Sequence, residues 1–586
     1  MEQTSQFPSF TLAEAQVENN IRALLKHIQQ QKLGAALITS FDVFISEYVP
    51  QSECLRYYIT GFTGSVALTL VSTDRVYLFV DGRYHEQADK EVTCSQVEVV
   101  KVPFGLALLD ALKTKVKDLK INDLGVLGER TPFSMASKLI GPKLSLLDAA
   151  LIYKLLNYHP HHSERAIFPV ELSKVGVSVK QKLHALVNKD EAVFVSALDS
   201  LAWLANCRGF HMPFQSQFMG KGFATKEHLY IFILAGTQLA SSLKNNSDAA
   251  LSFHTIQSWA DVGPLIKKII SQLKIQKIHF LPQSINLADY EMLKEVMSSG
   301  SLIEDPNRIL NFQMLKNECE IGAFEQAFER SDRAIFRALT WLRQSYRQGH
   351  KVSESEFKRQ VEDFYLAEGA IAQSFNTISG FGANSSIIHY GGADAQKMLG
   401  VGEFALLDSG AYYECGYATD TTRTVSVDIT PTPRQKFLYT LVLKGLLRAL
   451  YAVFPVATHG SQIDALARFG LRQHGLDYGH GTGHGVGVNV HEGGFSITPV
   501  STVPLVANLV GSLEPGVYIP GEGGVRLENI VVVIPHPKFA GMLTFRSLTL
   551  IGFIPELIEQ NLLMQEEKEW LLDYESQCAR RGRSFQ

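Results

Sequence analysis

Along the N-terminal half of the chain, short apolar runs alternate with stretches in which apolar residues recur at helical spacing. The runs Ala36–Ser40 and Val193–Ala197 read as buried strands, each preceded by an amphipathic helix. Each run is followed by an aspartate (Asp42, Asp199), then by aromatic residues (Tyr57 and Tyr58; Trp203), then by Gly-Phe (Gly61-Phe62; Gly209-Phe210). The first copy has nine extra residues between the aspartate and the Gly-Phe. Helix-then-strand alternation favours α/β packing, with helices laid against a sheet. Two copies of one unit, and chance likeness between short apolar runs, both account for the pattern.

From Lys316 the texture changes. Ile321, Phe324, Phe328, Ile335, Leu339 and Leu342 fall on one face of a long helix. A second helix follows, capped by Ser353 or Ser355, with Phe357, Val361 and Phe364 on its apolar side and Gly369 as its stop. Beyond it come strands separated by glycine-rich turns, TRTVSVDI (422–429) among them, and an amphipathic core helix over Leu441–Ala457, interrupted by Lys444 and Arg448. At 586 residues the chain exceeds one core, since domains hold about 100–200 residues each. The texture places three domains at residues 1–158, 159–312 and 313–586.

Composition narrows the class. With 46% hydrophobic and 19% charged residues the chain reads as a globular enzyme, and a net charge of −4 provides neither a basic stripe for nucleic acid nor a polybasic membrane patch. The start MEQTSQFPSF lacks the cationic and apolar segments of a secretory signal. No stretch holds the about 20 uninterrupted apolar residues that a membrane span needs. Six well-separated cysteines without a CxxC pair read as free thiols, so a cytoplasmic location is expected.

The chemistry lies between residues 380 and 530. Phe404-Ala405-Leu406-Leu407 is a buried strand running into Asp408, and twelve residues later Asp420 opens another. His480-Gly-Thr-Gly-His484, too glycine-rich for a helix, is followed by His491-Glu492. Glu514 stands in Leu-Glu-Pro-Gly, and Glu528 within the apolar strand Val525–Val533. Burying an unpaired carboxylate costs several kcal/mol. Taken singly, each acid reads best as half of a buried salt bridge, with Arg423 or Arg526 as partner. Taken together they outnumber the arginines nearby. Two divalent cations would balance four carboxylates, with one imidazole as a neutral ligand, and so oxygen-rich a set suits manganese better than structural zinc. His480 and His484 lack both the glutamate and the helix of an HExxH zinc pair, so at most one of them binds metal.

LLDSGAYYECGYATDTTRT, HGTGHGVGVNVHEGG, LEPGVY and GVRLENIV together resemble the pita-bread metallopeptidases, which include methionine aminopeptidase, prolidase, creatinase and aminopeptidase P. SFNTISGFGANSSIIHY, SALDSLAWLANCRG, ITGFTGS and DGRY, with the C-terminal LTLIGFIPELIEQNLLMQEEKEWLLDY, are similar to the three-domain aminopeptidase P form. The resemblance implies two related N-terminal α/β domains (creatinase-like) followed by a pita-bread catalytic domain. It implies as metal ligands Asp408, Asp420, His484, Glu514 and Glu528, with Asp420 and Glu528 bridging two ions, and cleavage of Xaa-Pro bonds at peptide N-termini by a hydroxide held between the metals. Glu514 would move the proton, and His389, His480 and His491 would hold the carbonyl and the oxyanion. Tyr518 and Arg526 would orient the ligand carboxylates. A homodimer acting on peptides with proline second is the implied assembly. Prolidase, and a metal-free binding module, are the alternatives. The chain departs from the family in having Ser512-Leu513 where an aspartate commonly precedes Glu-Pro-Gly. It departs also in a longer loop from Asp408 to Asp420 and a shorter one from His484 to His491.

Overall fold

The structure, a computed structural model, describes residues 11–103, 106–160, 163–245, 249–297, 299–427 and 430–586. The first ten residues and the last two of the strand expected over 422–429 lie outside the described residues. The chain forms two compact units: one runs to Ile309, and the other comprises Leu310–Gln586 together with the short segments Val170–Gly176 and Phe214–Ser216.

The first unit contains two six-stranded sheets. One is built from β1 (Ala35–Thr39), β2 (Leu68–Ser72), β3 (Val76–Val80), β4 (Val97–Lys101), β5 (Asp123–Val126) and β6 (Lys143–Leu146), in the order β4-β3-β2-β1-β5-β6. The other uses β7 (Glu191–Val195), β8 (Lys221–Ala224), β9 (Leu229–Leu234), β10 (Leu251–Ile256), β11 (Lys277–Phe280) and β12 (Leu302–Glu304), in the order β10-β9-β8-β7-β11-β12. Order and pairing sense match strand for strand: the first strand is antiparallel to the second and parallel to the fifth in both sheets. The suspected repeat is therefore a repeat of fold. Its strands start slightly earlier than the apolar runs suggested, at Ala35 and Glu191.

β1 is buried throughout, and apolar up to Thr39, because both faces are covered. Ala36 and Ile38 join a core with Ile21, Leu24 and Ile28 of helix α1 (Glu14–Gln30), while Ala35 and Leu37 pack with Leu124 and Val126 on the opposite face. The two sheets are joined by corresponding segments, those following β5 and β11. The Phe133 N–H donates to Ile285 O, and the Leu287 N–H donates to Thr131 O, both at 2.9 Å, around a bridge between Pro132 and Asn286.

The second unit opens on helix α2 (Glu318–Arg347), whose cap Asn317 forms a reciprocal box with Glu320. Phe324, Phe328, Ile335, Leu339 and Leu342 are buried along it, whereas Ile321 is half-buried. In α3 (Glu354–Ala367) the cap is Ser353, and Gly369, at φ +79°, ends the helix in a conformation that favours glycine. Its buried row is Phe357, Val361 and Tyr365, spaced by four; Phe364 lies outside that row, beneath the guanidinium of Arg337. The helix expected over 441–457 runs instead over α4 (Pro433–Leu450) and is buried on nearly all sides. Thr432 starts it in a capping box with Gln435, and Pro433 occupies the first turn. Lys444 is tolerated inside because its ammonium reaches Glu567 at 2.5 Å. Among the described residues no helix is long and apolar enough to cross a membrane.

Two sheets of this unit carry the chemistry. The first is β13 (Ile378–Phe381), β14 (Ala405–Ser409) and β15 (Thr421–Val425), all antiparallel. The second contains β16 (Phe454–Pro455), β17 (Gly483–Gly485), β18 (Glu492–Ile497), β19 (Val510–Leu513), and, beyond the hairpin β20 (Gly516–Ile519) and β21 (Gly523–Arg526), β22 (Asn529–Pro535) and β23 (Met542–Ser547). Its order is β16-β23-β22-β19-β17-β18.

Candidate metal centre and active site

Asp408 pairs across β14 and β15 with Thr422, so the two side chains share a face; alternation along the strand puts Asp420 on that face too. Glu528 sits in the break between β21 and β22, not within one continuous strand as the apolar run suggested. The Thr422 hydroxyl donates to its carboxylate at 2.8 Å. Glu514 follows β19 directly. Its Oε1 accepts from the Ser512 hydroxyl at 3.2 Å, and Ser512 Oγ in turn accepts the backbone N–H of His484 at 3.0 Å.

His484 is carried by β17, where the strand has a bulge against β18. The flanking glycines are a matter of space. A Cβ at Gly483 would lie 2.0 Å from Ser512 O, and one at Gly485 would lie 2.3 Å from Glu492 O. His480-Gly-Thr-Gly-His484 is thus not helical, as its glycine content implied, and enters β17 at Gly483, where it is squeezed against a neighbouring backbone. The His484 imidazole Nε2 stands 3.5 Å from both Asp420 Oδ2 and Glu514 Oε1.

Ligand atoms of Asp420, His484 and Glu528 all lie within 4.8 Å of one another. Asp420 and Glu528 are 4% and 2% exposed, so their charges are not dispersed by water. Burial, and then the neighbouring carboxylates, push both acids well above the usual carboxylate range. Asp408 is raised as well, by burial first and by Glu514, against the lowering effect of Arg526. One oxygen of Asp408 is bound by Arg526, while the other, Oδ1, is buried without a hydrogen-bond partner. An orphaned buried oxygen beside a cluster of mutually repelling carboxylates fits divalent cations, which would supply the missing charge and ligation. Arg423 does not supply it: its guanidinium goes to Thr422 O, Glu528 O, Asn529 Oδ1, Ile551 O and Tyr574 Oη.

Around this cluster runs a relay. Arg526 donates to Asp408 at 2.5 Å, to Tyr518 Oη at 2.8 Å and to Thr422 Oγ1 at 3.0 Å. Tyr518 Oη lies 2.9 Å from His480 Nε2, and His480 Nδ1 lies 2.7 Å from Gly481 O. Burial depresses His480 to about 4, so it is neutral at pH 7. Nδ1 then carries the hydrogen toward the carbonyl, and Nε2 accepts from the phenol. Both ring nitrogens of His480 are engaged in this conformation. The His491 ring stands edge-on to that of His484, centroids 4.3 Å apart. His389 is half-buried in the turn after the 3₁₀ segment Gly382–Ser386, which follows β13 and so adjoins the strand of Asp408.

Sequence reasoning missed several supports. Thr422 and Ser512 look like ordinary strand residues, yet each fixes a carboxylate. Asp464 and Arg468, on helix α5 (Gly460–Arg472), are buried beneath the histidine segment: Arg468 donates to Tyr478 O and His480 O, and Thr482 donates to Asp464 at 2.6 Å. Their spacing of four on a helix was the available signal.

Residues 322–535 match metallopeptidase family M24, and residues 20–155 and 158–320 each match a creatinase/prolidase N-terminal domain. A probable Xaa-Pro aminopeptidase P of Laccaria bicolor is 31% identical over 95% of this chain and 88% of its own. The Xaa-Pro aminopeptidase ApepP of Drosophila melanogaster is also 31% identical, over 93% of this chain and 91% of its own. The crystal structure of an X-prolyl aminopeptidase from Caenorhabditis elegans, described as a cytosolic enzyme with a di-nuclear active site, superposes with a TM-score of 0.87 at 25% identity, covering 97% of this chain and 96% of that one. The chain belongs to metallopeptidase family M24, among the Xaa-Pro aminopeptidase P relatives in which two creatinase-type domains precede a pita-bread domain.

Proposed function

We propose that the protein removes the first residue from peptides whose second residue is proline, using two divalent metal ions, manganese foremost. The observation that carries this is the cluster of Asp420, His484 and Glu528, with Glu514 at 3.5 Å from His484 and the buried Asp408 Oδ1 left without a hydrogen bond, in a chain similar over 95% of its length to an Xaa-Pro aminopeptidase P. Asp408, Asp420, His484, Glu514 and Glu528 would hold the ions. When bound, such a pair acidifies water and polarises a peptide carbonyl.

The remaining work falls to the chain itself. Glu514 accepts the proton of the attacking water and delivers it to the departing proline nitrogen. His389 and His491 face the carbonyl and its developing oxyanion; His480 joins them once it gives up its bond to Tyr518 and its proton moves from Nδ1 to Nε2, so that Nε2–H donates. Arg526 and Tyr518 keep Asp408 in place through the relay described above. The Xaa-Pro amide has no N–H to grip, so a site that fixes the carbonyl and the ring has no need of one. Residence in the cytosol is supported by six cysteines that form no disulfide and by the description of the nematode relative.

The test is a peptide panel with the manganese-loaded protein. Xaa-Pro-Yaa tripeptides should release their first residue. Cleavage of Xaa-Pro dipeptides alone would make the protein a prolidase, and no cleavage of either would make it a binding module.

A further inference from the structure

Glu354 is the first residue of α3 and is fully buried, 0% exposed. No lysine, arginine or histidine lies within ion-pair distance of it among the described residues. Its charge is instead met by donors from one segment. Oε1 accepts the Phe381 N–H at 2.7 Å and Asn384 Nδ2 at 3.0 Å; Oε2 accepts the Tyr390 hydroxyl at 2.8 Å and the Asp394 N–H at 2.9 Å. The backbone joins in, since Glu354 O accepts the Ser379 hydroxyl at 3.1 Å and the Glu354 N–H donates to Lys397 O, also at 3.1 Å.

These partners bracket the segment that carries His389. Phe381 ends the strand beside Asp408, Asn384 lies in the 3₁₀ turn, Tyr390 follows His389 directly, and Asp394 closes the return. The turn is pinned on its other side by Ser385, whose hydroxyl accepts the Gly524 N–H at 2.8 Å from the strand that ends in Arg526. A neutral side chain could not serve four donors at once. An amide offers one oxygen and would aim its own N–H₂ at two of them. Leaving buried donors unmet is costly, and charge-assisted bonds hold a loop more stiffly than neutral ones.

We propose that Glu354 is the positioning residue for His389: its carboxylate draws the two ends of the 381–394 segment together and so fixes where that imidazole meets the peptide. This rests on the reading of His389 as a substrate-site histidine. A fixed histidine matters most when the oxyanion forms, so the effect belongs in kcat more than in KM.

The experiment uses the full-length manganese-loaded protein, an Ala-Pro-Ala tripeptide, and the variants Glu354→Gln, Glu354→Asp, His389→Ala and the double variant Glu354→Gln/His389→Ala. E354Q should lower kcat at least about tenfold while KM moves less than about threefold and metal content stays that of the wild type. In the H389A background the same change should cost less than about twofold more, because the residue it positions is gone. E354D keeps both acceptor oxygens and should recover part of the loss. Amide hydrogen exchange over 381–394 should rise in E354Q. Independent, multiplicative losses in the double variant, wild-type kcat in E354Q, or loss of metal from E354Q would each overturn the proposal. An inactive wild type would sink the peptidase reading itself; unchanged exchange over 381–394 in E354Q would then separately refute the fixing of that segment.

Discussion

Arg526 holds one oxygen of Asp408 at 2.5 Å and leaves the other buried with no protein partner. The arginine is therefore both counter-ion and spacer: it neutralises part of the acidic cluster and turns Asp408 so that Oδ1 is free to bind. Replacing it with methionine strips a buried carboxylate of its partner, which costs about 3–5 kcal/mol. R526M should melt well below the wild type when metal-free, and should lose at least about 100-fold in kcat/KM when loaded. Thermal denaturation with and without a chelator, alongside tripeptide kinetics, checks both.

The two histidines of the glycine-rich segment should separate cleanly. His484→Ala removes an imidazole that stands 3.5 Å from two carboxylates, so metal content and activity should fall together. His480→Ala removes the partner of Tyr518 and should keep close to two metals per protomer while turnover drops. Metal analysis of both variants is decisive, and loss of metal only from the His480 variant would reverse the assignment.

Asp332 gives a prediction about pH. It is fully buried in α2, and desolvation raises it to about 7 although Leu550 N–H donates to it at 2.6 Å. Its folded pKa lies above the unfolded value of 3.8, so the folded state keeps the proton longer. Stability is then full below about pH 4 and is lost as pH rises toward about 7, by at most roughly 4 kcal/mol. Asp332→Asn should remove that slope, leaving stability at pH 4 nearly unchanged and raising it at pH 8. Denaturant titrations at the two pH values read this directly; equal slopes in variant and wild type would refute it.

Specificity should follow the proline ring. Xaa-Ala-Yaa peptides should be cut at least about 100-fold less efficiently than Xaa-Pro-Yaa, a gap of roughly 3 kcal/mol in transition-state binding. An acetylated N-terminus should abolish cleavage. Equal rates on alanine and proline peptides would end the proline-specific reading and leave the metal site untouched.

The protein should be a homodimer. Light scattering giving a stable 65.0 kDa particle would exclude that without bearing on catalysis.

Much of this was legible in the residues because the chemistry demands local patterns. Carboxylates at strand ends are conspicuous, and the glycine content of the His480–His484 segment excluded a helix, which the structure bears out; that Gly483 sits against the Ser512 carbonyl was not legible. What escaped were partners brought in from afar. Thr422 reaches Glu528 across 106 positions, and Glu354 reaches Tyr390 across 36. Nothing local distinguishes such a threonine or glutamate from a solvated one. The break at Glu528 was hidden for a related reason: apolar residues on both sides of it gave one uninterrupted run, and only hydrogen bonding shows that β21 and β22 belong to different pairings.

The reciprocal bonds between the two N-terminal sheets set a limit on how the chain can be divided. Thr131 O and Phe133 N–H in the first copy are met by Leu287 and Ile285 in the second, and Asn286 extends the exchange by donating to Val43 O at 2.8 Å. A fragment cut near residue 158 would leave these groups facing water and would bare the ring of Phe133, which packs edge-on against Phe280 and tilted against Tyr290 of the second copy. Although each copy has a complete sheet of its own, these bonds tie the two together, so truncation after Ile309 should be tolerated better than a cut between the repeats.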